Sequence, residues 1–323
     1  MMPSASVAAL AAADFSALAA RFAAAGVPVA LPGPGMLQLG ADPQRLSLLI
    51  SVGVHGDETA PIELLAQLLA TLAETPGQLA VNLLVVVGNP AAIALAKRFI
   101  DVDLNRLFRR DQGDLATARE AARAHQIMAA ASAFFATGGA RWHLDLHTAI
   151  RASRYPTFAI IPACIAPPQQ RALTGLLGDA GIAAVILNPT SAGTFSAFTA
   201  EQLAATSATV ELGQIGLLGD NELAAFAPAA ATLALLLRSG VVAAGTATPL
   251  VFTVAQEIIK HSEAFAMSFD GSTQNFTALA KDQVIATDGA IVYRVQHDEE
   301  LVVFPNPNVR VGHRAGLMVV QKQ

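Results

Sequence analysis

Short apolar, β-branched runs separated by helical stretches constrain this chain more than any other feature. The runs are 46–54, 81–87 (Val81-Asn82-Leu83-Leu84-Val85-Val86-Val87), 142–146, 157–161, 183–187 and 208–212. Helical patterns occupy 60–73, 90–97, 114–135, 168–179 and 219–238. Strands apolar on both faces must be covered on both sides, which predicts an α/β fold with a mostly parallel sheet flanked by helices. In such sheets ligands bind beyond the carboxyl ends of the strands. After about Gly245 the pattern changes to short alternating segments at 249–259, 283–286, 290–295, 300–304 and 317–321. Turn residues such as Asp288-Gly289 and Pro305-Asn306-Pro307 join them. They predict a small β-rich C-terminal domain, dividing the chain into 1–245 and 246–323.

The 323 residues carry a formal net charge of −5 with no blocks of charge, so neither nucleic acid nor an anionic membrane surface is expected as a partner. One cysteine, Cys164, excludes an internal disulfide and a Cys-rich zinc site and suits a reducing cytoplasm. It is expected to be an ordinary buried thiol. Residues 1–26 lack a basic segment followed by an apolar core and cleavage site, so no signal peptide is expected. The longest mostly apolar run, Leu223–Leu237, contains Pro228 and is too short to cross a membrane. A soluble cytoplasmic protein is expected.

Polar residues cluster where the strands end. Ser51-Val52-Gly53-Val54-His55-Gly56-Asp57-Glu58-Thr59-Ala60-Pro61 leads from the first strong strand into a helix. His55 and Glu58 are spaced so that an imidazole and a carboxylate can converge on one metal ion. Gly53 and Gly56 permit the tight backbone such a site needs. Taken alone, the pair also suits a solvated or capping role. Downstream, Arg141-Trp142-His143-Leu144-Asp145-Leu146-His147-Thr148 alternates at period two, placing His143, Asp145 and His147 on one side of a strand. His147, at the strand end, is where a third ligand would emerge. Two histidines and one glutamate with an open position describe a hydrolytic zinc, not a closed structural one. Asp145 is placed to orient His55 behind the metal, and His143 reads as a hydrogen-bonded core histidine.

Two further clusters complete the set. Arg98, Asp101, Asp103, Asn105 and Arg106 share one loop after Gly88-Asn89-Pro90. The arginine fork suits carboxylate recognition, although local Asp–Arg pairing in a solvated loop accounts for the same residues. Arg109 and Arg110 read as surface charge. Glu211, in Thr209-Val210-Glu211-Leu212-Gly213, is placed for a general base or, alternatively, for a cap or surface position.

In this order, H-G-D-E at 55–58, G-N-P at 88–90, R-F-I-D-V-D-L-N-R-L-F at 98–108, H-L-D-L-H-T-A at 143–149 and V-E-L-G at 210–213 resemble the succinylglutamate desuccinylases. These group with aspartoacylase among zinc carboxypeptidase-like enzymes. The likeness extends to Gly193-Thr194-Phe195, Asn275-Phe276, Phe304-Pro305-Asn306-Pro307 and Arg314-Ala315-Gly316-Leu317-Met318, nearly the whole chain. The resemblance implies hydrolysis of N-succinyl-L-glutamate to succinate and L-glutamate, in the arginine succinyltransferase pathway. It implies one zinc per chain on His55, Glu58 and His147, with Glu211 as catalytic carboxylate. It further implies that Arg98 polarises the amide oxygen and that Asn105 and Arg106 clamp a substrate carboxylate. Arg151 and Arg154 could add positive charge for a tri-acid substrate. The same-class alternative is an aspartoacylase-like or carboxypeptidase-like enzyme on another N-acyl amino acid. A different class is an inactive metal-binding protein on this fold, and no sequence feature sets the oligomeric state.

Overall fold

The computed structural model describes residues 3–136, 138–190, 193–242, 245–270 and 272–322. The first part contains strands β1 (Val29–Ala30), β2 (Met36–Leu39), β3 (Ser47–Val52), β4 (Asn82–Val87), β5 (Arg141–Ala149), β6 (Thr157–Pro162), β7 (Ala184–Asn188) and β8 (Thr206–Gln214). Its helices are α1 (Ala5–Ala11), α2 (Ser16–Ala24), α3 (Ala60–Leu72), α4 (Pro90–Ala94), α5 (Arg119–Phe135), α6 (Pro167–Asp179), α7 (Phe195–Leu203) and α8 (Ala227–Ser239). The last part is β-rich: β9 (Leu250–Ile259), β10 (Phe265–Met267), β11 (Thr277–Ala280), β12 (Val284–Asp288), β13 (Ile291–Arg294), β14 (Glu299–Val303) and β15 (Arg314–Gln321).

A 12-stranded sheet runs β1-β2-β4-β3-β5-β8-β6-β7-β9-β15-β14-β11. Its centre, β4-β3-β5-β8, is parallel. Strand β6 runs antiparallel to β8 because the 150–156 link is too short to carry a helical crossover. Helix α6 supplies a crossover to β7, which pairs parallel with β6. Strand β9 then pairs parallel with β7, so the C-terminal strands extend the same sheet.

Alternation within each strand sorts the residues between two cores. Leu48, Ile50 and Val52 join Trp142, Leu144 and Leu146 in a core with α1, α3, α6 and α8. Leu49 faces the other way, towards Phe134 and Phe135 of α5 and Phe195 and Phe198 of α7. The polar face of β5 therefore looks towards α5 and α7. Helix α8 starts later than its sequence pattern, after a 3₁₀ turn at Leu223–Phe226, and Pro228 occupies its first turn.

Helices α1 and α2, strands β1 and β2 and helix α7 went unread in the sequence. Helix α7 gives no amphipathic signal because Phe195, Ser196, Ala197, Phe198, Thr199 and Ala200 are all buried. Among the described residues no single helix is long and apolar enough to cross a membrane. Helices α1 and α2 pass that test only as a pair, bent by 109°. Val7, Leu10 and Phe22 from this pair are buried in the core.

Candidate active site

The 53–59 loop is shaped by two glycines. Gly53 has φ +62°, and a Cβ there would lie 2.6 Å from Ile93 Cδ1. At Gly56 a Cβ would come 2.2 Å from the Ala92 backbone, so the loop and α4 can touch only without one. Gly56 N also donates to Arg98 O at 3.1 Å. Folded this way, the loop brings His55 Nδ1 2.8 Å from Glu58 Oε1. From the end of β5, His147 Nδ1 lies 2.8 Å from Glu58 Oε2, and Thr148 N donates to the same oxygen at 3.1 Å.

His55, Glu58 and His147 are buried, and one potential ligand atom from each lies within 4.8 Å of the others. The group could bind a metal ion. The far nitrogens of both rings also face carboxylates. His55 Nε2 is 2.9 Å from Asp103 Oδ1, and His147 Nε2 is 2.9 Å from Asp145 Oδ2. A carboxylate there holds the tautomer that leaves Nδ1 for a metal, so the donor set fits a borderline-soft divalent ion. Asp145 thus stands behind His147 and not His55, because alternation puts residues 145 and 147 on one face of β5. Asp103 takes the place behind His55, carried there by the 3₁₀ turn Leu104–Arg106 that it caps.

Glu211 is level with His147 across the β5–β8 pair. It is buried, and its Oε2 has no hydrogen-bond partner among the described residues. Burial, then the Glu58 charge, pushes it up to about 7. Burial also opposes ionisation of Glu58, but His55 and His147 outweigh it and hold that carboxyl well below its usual range. Burial pulls His143 down to about 4, and both its ring nitrogens meet hydroxyls, as a core histidine requires.

The loop with the two arginines folds against this group. Arg98 Nη1 donates to Glu58 Oε1 at 2.7 Å. Asn105 is buried, and its Oδ1 accepts from Phe195 N at 2.9 Å. Arg106 Nη1 donates to Asn105 O at 2.8 Å, and its charge reaches Asp103, His313 and Arg314. Glu120, buried in the first turn of α5, accepts from Asn89 Nδ2 and from the backbone N–H groups of Ile100, Asp101 and Val102. Sequence reasoning missed this anchor. It considered Asp103 only for local Asp–Arg pairing and not as the partner of His55. Arg151 and Arg154 have other partners: Arg151 donates to Asp270 O and Thr273 O, and Arg154 lies over the Tyr155 ring. Arg109 and Arg110 are exposed, as expected. Cys164 is exposed and not buried, because it sits in the turn that follows β6.

A buried His–Glu–His group at the carboxyl edge of an α/β sheet, with an elevated glutamate beside it, describes a hydrolase with a candidate metal centre. Residues 44–237 match the model of the succinylglutamate desuccinylase/aspartoacylase catalytic domain, and residues 247–322 match the AstE/AspA barrel-sandwich hybrid domain. The chain belongs to the succinylglutamate desuccinylase/aspartoacylase family. It is 49% identical over 279 residues to a succinylglutamate desuccinylase of Burkholderia orbicola, covering 85% of this chain and 81% of that protein. The crystal structure of succinylglutamate desuccinylase from Vibrio cholerae is 32% identical, with a TM-score of 0.84 over 91% of this chain and 88% of that one. That of murine aminoacylase 3, 18% identical with a TM-score of 0.57 over 86% of this chain and 96% of that one, shares the fold.

Proposed function

We propose that this chain hydrolyses N-succinyl-L-glutamate to succinate and L-glutamate, with one zinc ion on His55, Glu58 and His147. The carrying observation is that buried group with Glu211 beside it, whose Oε2 has no hydrogen-bond partner among the described residues, in a chain 49% identical to a named succinylglutamate desuccinylase. When bound, zinc supplies a Lewis acid that makes water nucleophilic near neutral pH.

Glu211 accepts the proton as water attacks the succinyl amide carbon, then delivers one to the departing amine nitrogen. Its burial, with one oxygen left without a hydrogen-bond partner among the described residues, leaves that oxygen free to take and return the proton. Arg98, 28% exposed at the rim, donates to the amide oxygen as negative charge develops there. One such donor typically contributes ~3 kcal/mol. Asn105 has committed its Oδ1 to Phe195 N, which leaves Nδ2 to donate to a substrate carboxylate beside the Arg106 fork. The substrate is a tri-acid and the chain is net acidic, so positive charge must be gathered locally. Arg98 and Arg106 provide it, with Arg314 of the C-terminal part in electrostatic reach of Arg106. A reducing cytoplasm suits its single cysteine.

The test is a panel of N-acyl amino acids presented to the zinc-loaded enzyme. N-succinyl-L-glutamate should give the highest kcat/KM, above N-acetyl-L-aspartate and N-acetyl-L-glutamate. A preference for an acetyl substrate overturns the assignment of the acyl group.

A further inference from the structure

A file of buried side chains runs from α7 through the sheet to His147. Thr199, His143, Ser51 and Asp145 are each 0% exposed. Thr199 Oγ1 lies 2.8 Å from His143 Nδ1, and Ser51 Oγ lies 2.8 Å from His143 Nε2. Ser51 Oγ is 2.5 Å from Asp145 Oδ1. Asp145 Oδ2 and His147 Nε2 are 2.9 Å apart, off the line of a hydrogen bond, and neither has another partner among the described residues.

Counting protons sets the direction of every link. A carboxylate only accepts, so the single Ser51 hydroxyl proton goes to Asp145. Ser51 Oγ must then accept from His143, which places the imidazole proton on Nε2. A neutral imidazole has no second proton, so Nδ1 accepts from Thr199. Thr199 Oγ1 also lies 3.0 Å from Ser196 O, which accepts from Ser207 Oγ at 2.6 Å as well. The Thr199 proton, however, is the only one available to the His143 Nδ1 contact, the shorter of the two at 2.8 Å. All three donors therefore point one way, towards Asp145. Strand register helps to build the file, since Ser51 is the direct partner of Asp145 across β3 and β5.

On the zinc reading above, we propose that Ser51, His143 and Thr199 are positioning residues for the metal ligand His147. They hold Asp145 with its second oxygen facing His147 Nε2, so that Nδ1 is presented to the ion. Without Ser51 the carboxylate can rotate, and the imidazole loses the partner that fixes its tautomer.

Zinc dissociation constants of the full chain, measured by competition with a chromophoric chelator, test this. Loss of a group behind a ligating histidine weakens metal binding about 10–100-fold. Ser51→Ala should fall at the lower end, about tenfold. His143→Phe should weaken zinc similarly, while His143→Gln, which can still donate an N–H to Ser51, should recover most of the affinity. A purely structural role would lower the melting temperature of the chelated protein in all three variants and leave zinc affinity unchanged. If His143→Phe does not fold, Ser51→Ala, which removes one oxygen, decides alone. Folded Ser51→Ala with wild-type zinc affinity overturns the positioning role and leaves the metal centre standing. A wild-type chain that takes up no zinc overturns both.

Discussion

At Glu211 a buried carboxyl has one oxygen without a partner among the described residues, and burial with the Glu58 charge raises it from 4.5 to about 7. Its folded value exceeds its unfolded one, so its contribution to stability is full below 4.5 and is lost as pH rises through about 7. The gap is at most ~3 kcal/mol. Chelated Glu211→Gln should therefore melt higher than chelated wild type at pH 8, with the gain gone near pH 4.5. Equal melting at pH 8 would contradict a costly buried carboxylate. The same substitution separates base from ligand. With the proton shuttle gone and the metal donors intact, kcat should fall ~10²–10⁴-fold while zinc content holds. Glu58→Gln should lose zinc instead, and a metal-free Glu211→Gln would reverse the two roles. At this scale most of the site was legible, because alternation in β5 and the H-x-x-E spacing are local signals. Asp145 was placed behind the wrong histidine, although the alternation that sets Asp145 and His147 on one face of β5 already pointed to His147. Asp103 and Ser51 act across strands and loops, so their partners were invisible before folding.

At the scale of elements, the buried carboxylate of Glu120 ties the 98–106 loop to α5, and Asp101 Oδ2 adds a bond from Arg119 N at 3.1 Å. Glu120 accepts from Ile100 N at 2.7 Å and, at 3.3 Å, from Asn89 Nδ2, Asp101 N and Val102 N. Glu120→Gln keeps the shape but turns an amide donor towards those N–H groups. Because that loop carries Arg98, Asn105 and Arg106, kcat/KM should drop by up to ~100-fold, as small misplacements do, with zinc content unchanged. Unchanged kcat/KM in the folded variant would remove Glu120 from the support of the loop. Strands β3, β4 and β7 were legible because each is a nearly continuous apolar run, and β5 and β8 because polar and apolar residues alternate along them. The antiparallel β6 could also have been read, since 150–156 shows no helical pattern to support a crossover. Helix α7 was not readable: a helix buried nearly all round carries no period, and its packing against β5 and β8 is a tertiary fact.

At the scale of the whole molecule, the C-terminal part continues the central sheet. Strand β9 pairs with β7, and Phe252, Phe276, Val303 and Leu317 share a core with Phe158, Ala184 and Ile186. The change of pattern near Gly245 was legible, but this continuity was not, because β9 alternates like a strand of a separate unit. We place the division at 245/246 for testing. A chain ending at residue 245 would expose the β7 edge and that apolar face, and should aggregate on size-exclusion chromatography. A monodisperse, cooperatively melting fragment would show that the first part folds alone. Across both parts, the central claim is that His55, Glu58 and His147 hold the zinc on which hydrolysis depends. Its most direct measurement is turnover of N-succinyl-L-glutamate by the chelated full chain as zinc is added back. Activity should be absent at the start and rise in proportion to bound zinc up to about one ion per chain. Full turnover in protein verified to be metal-free would contradict the account.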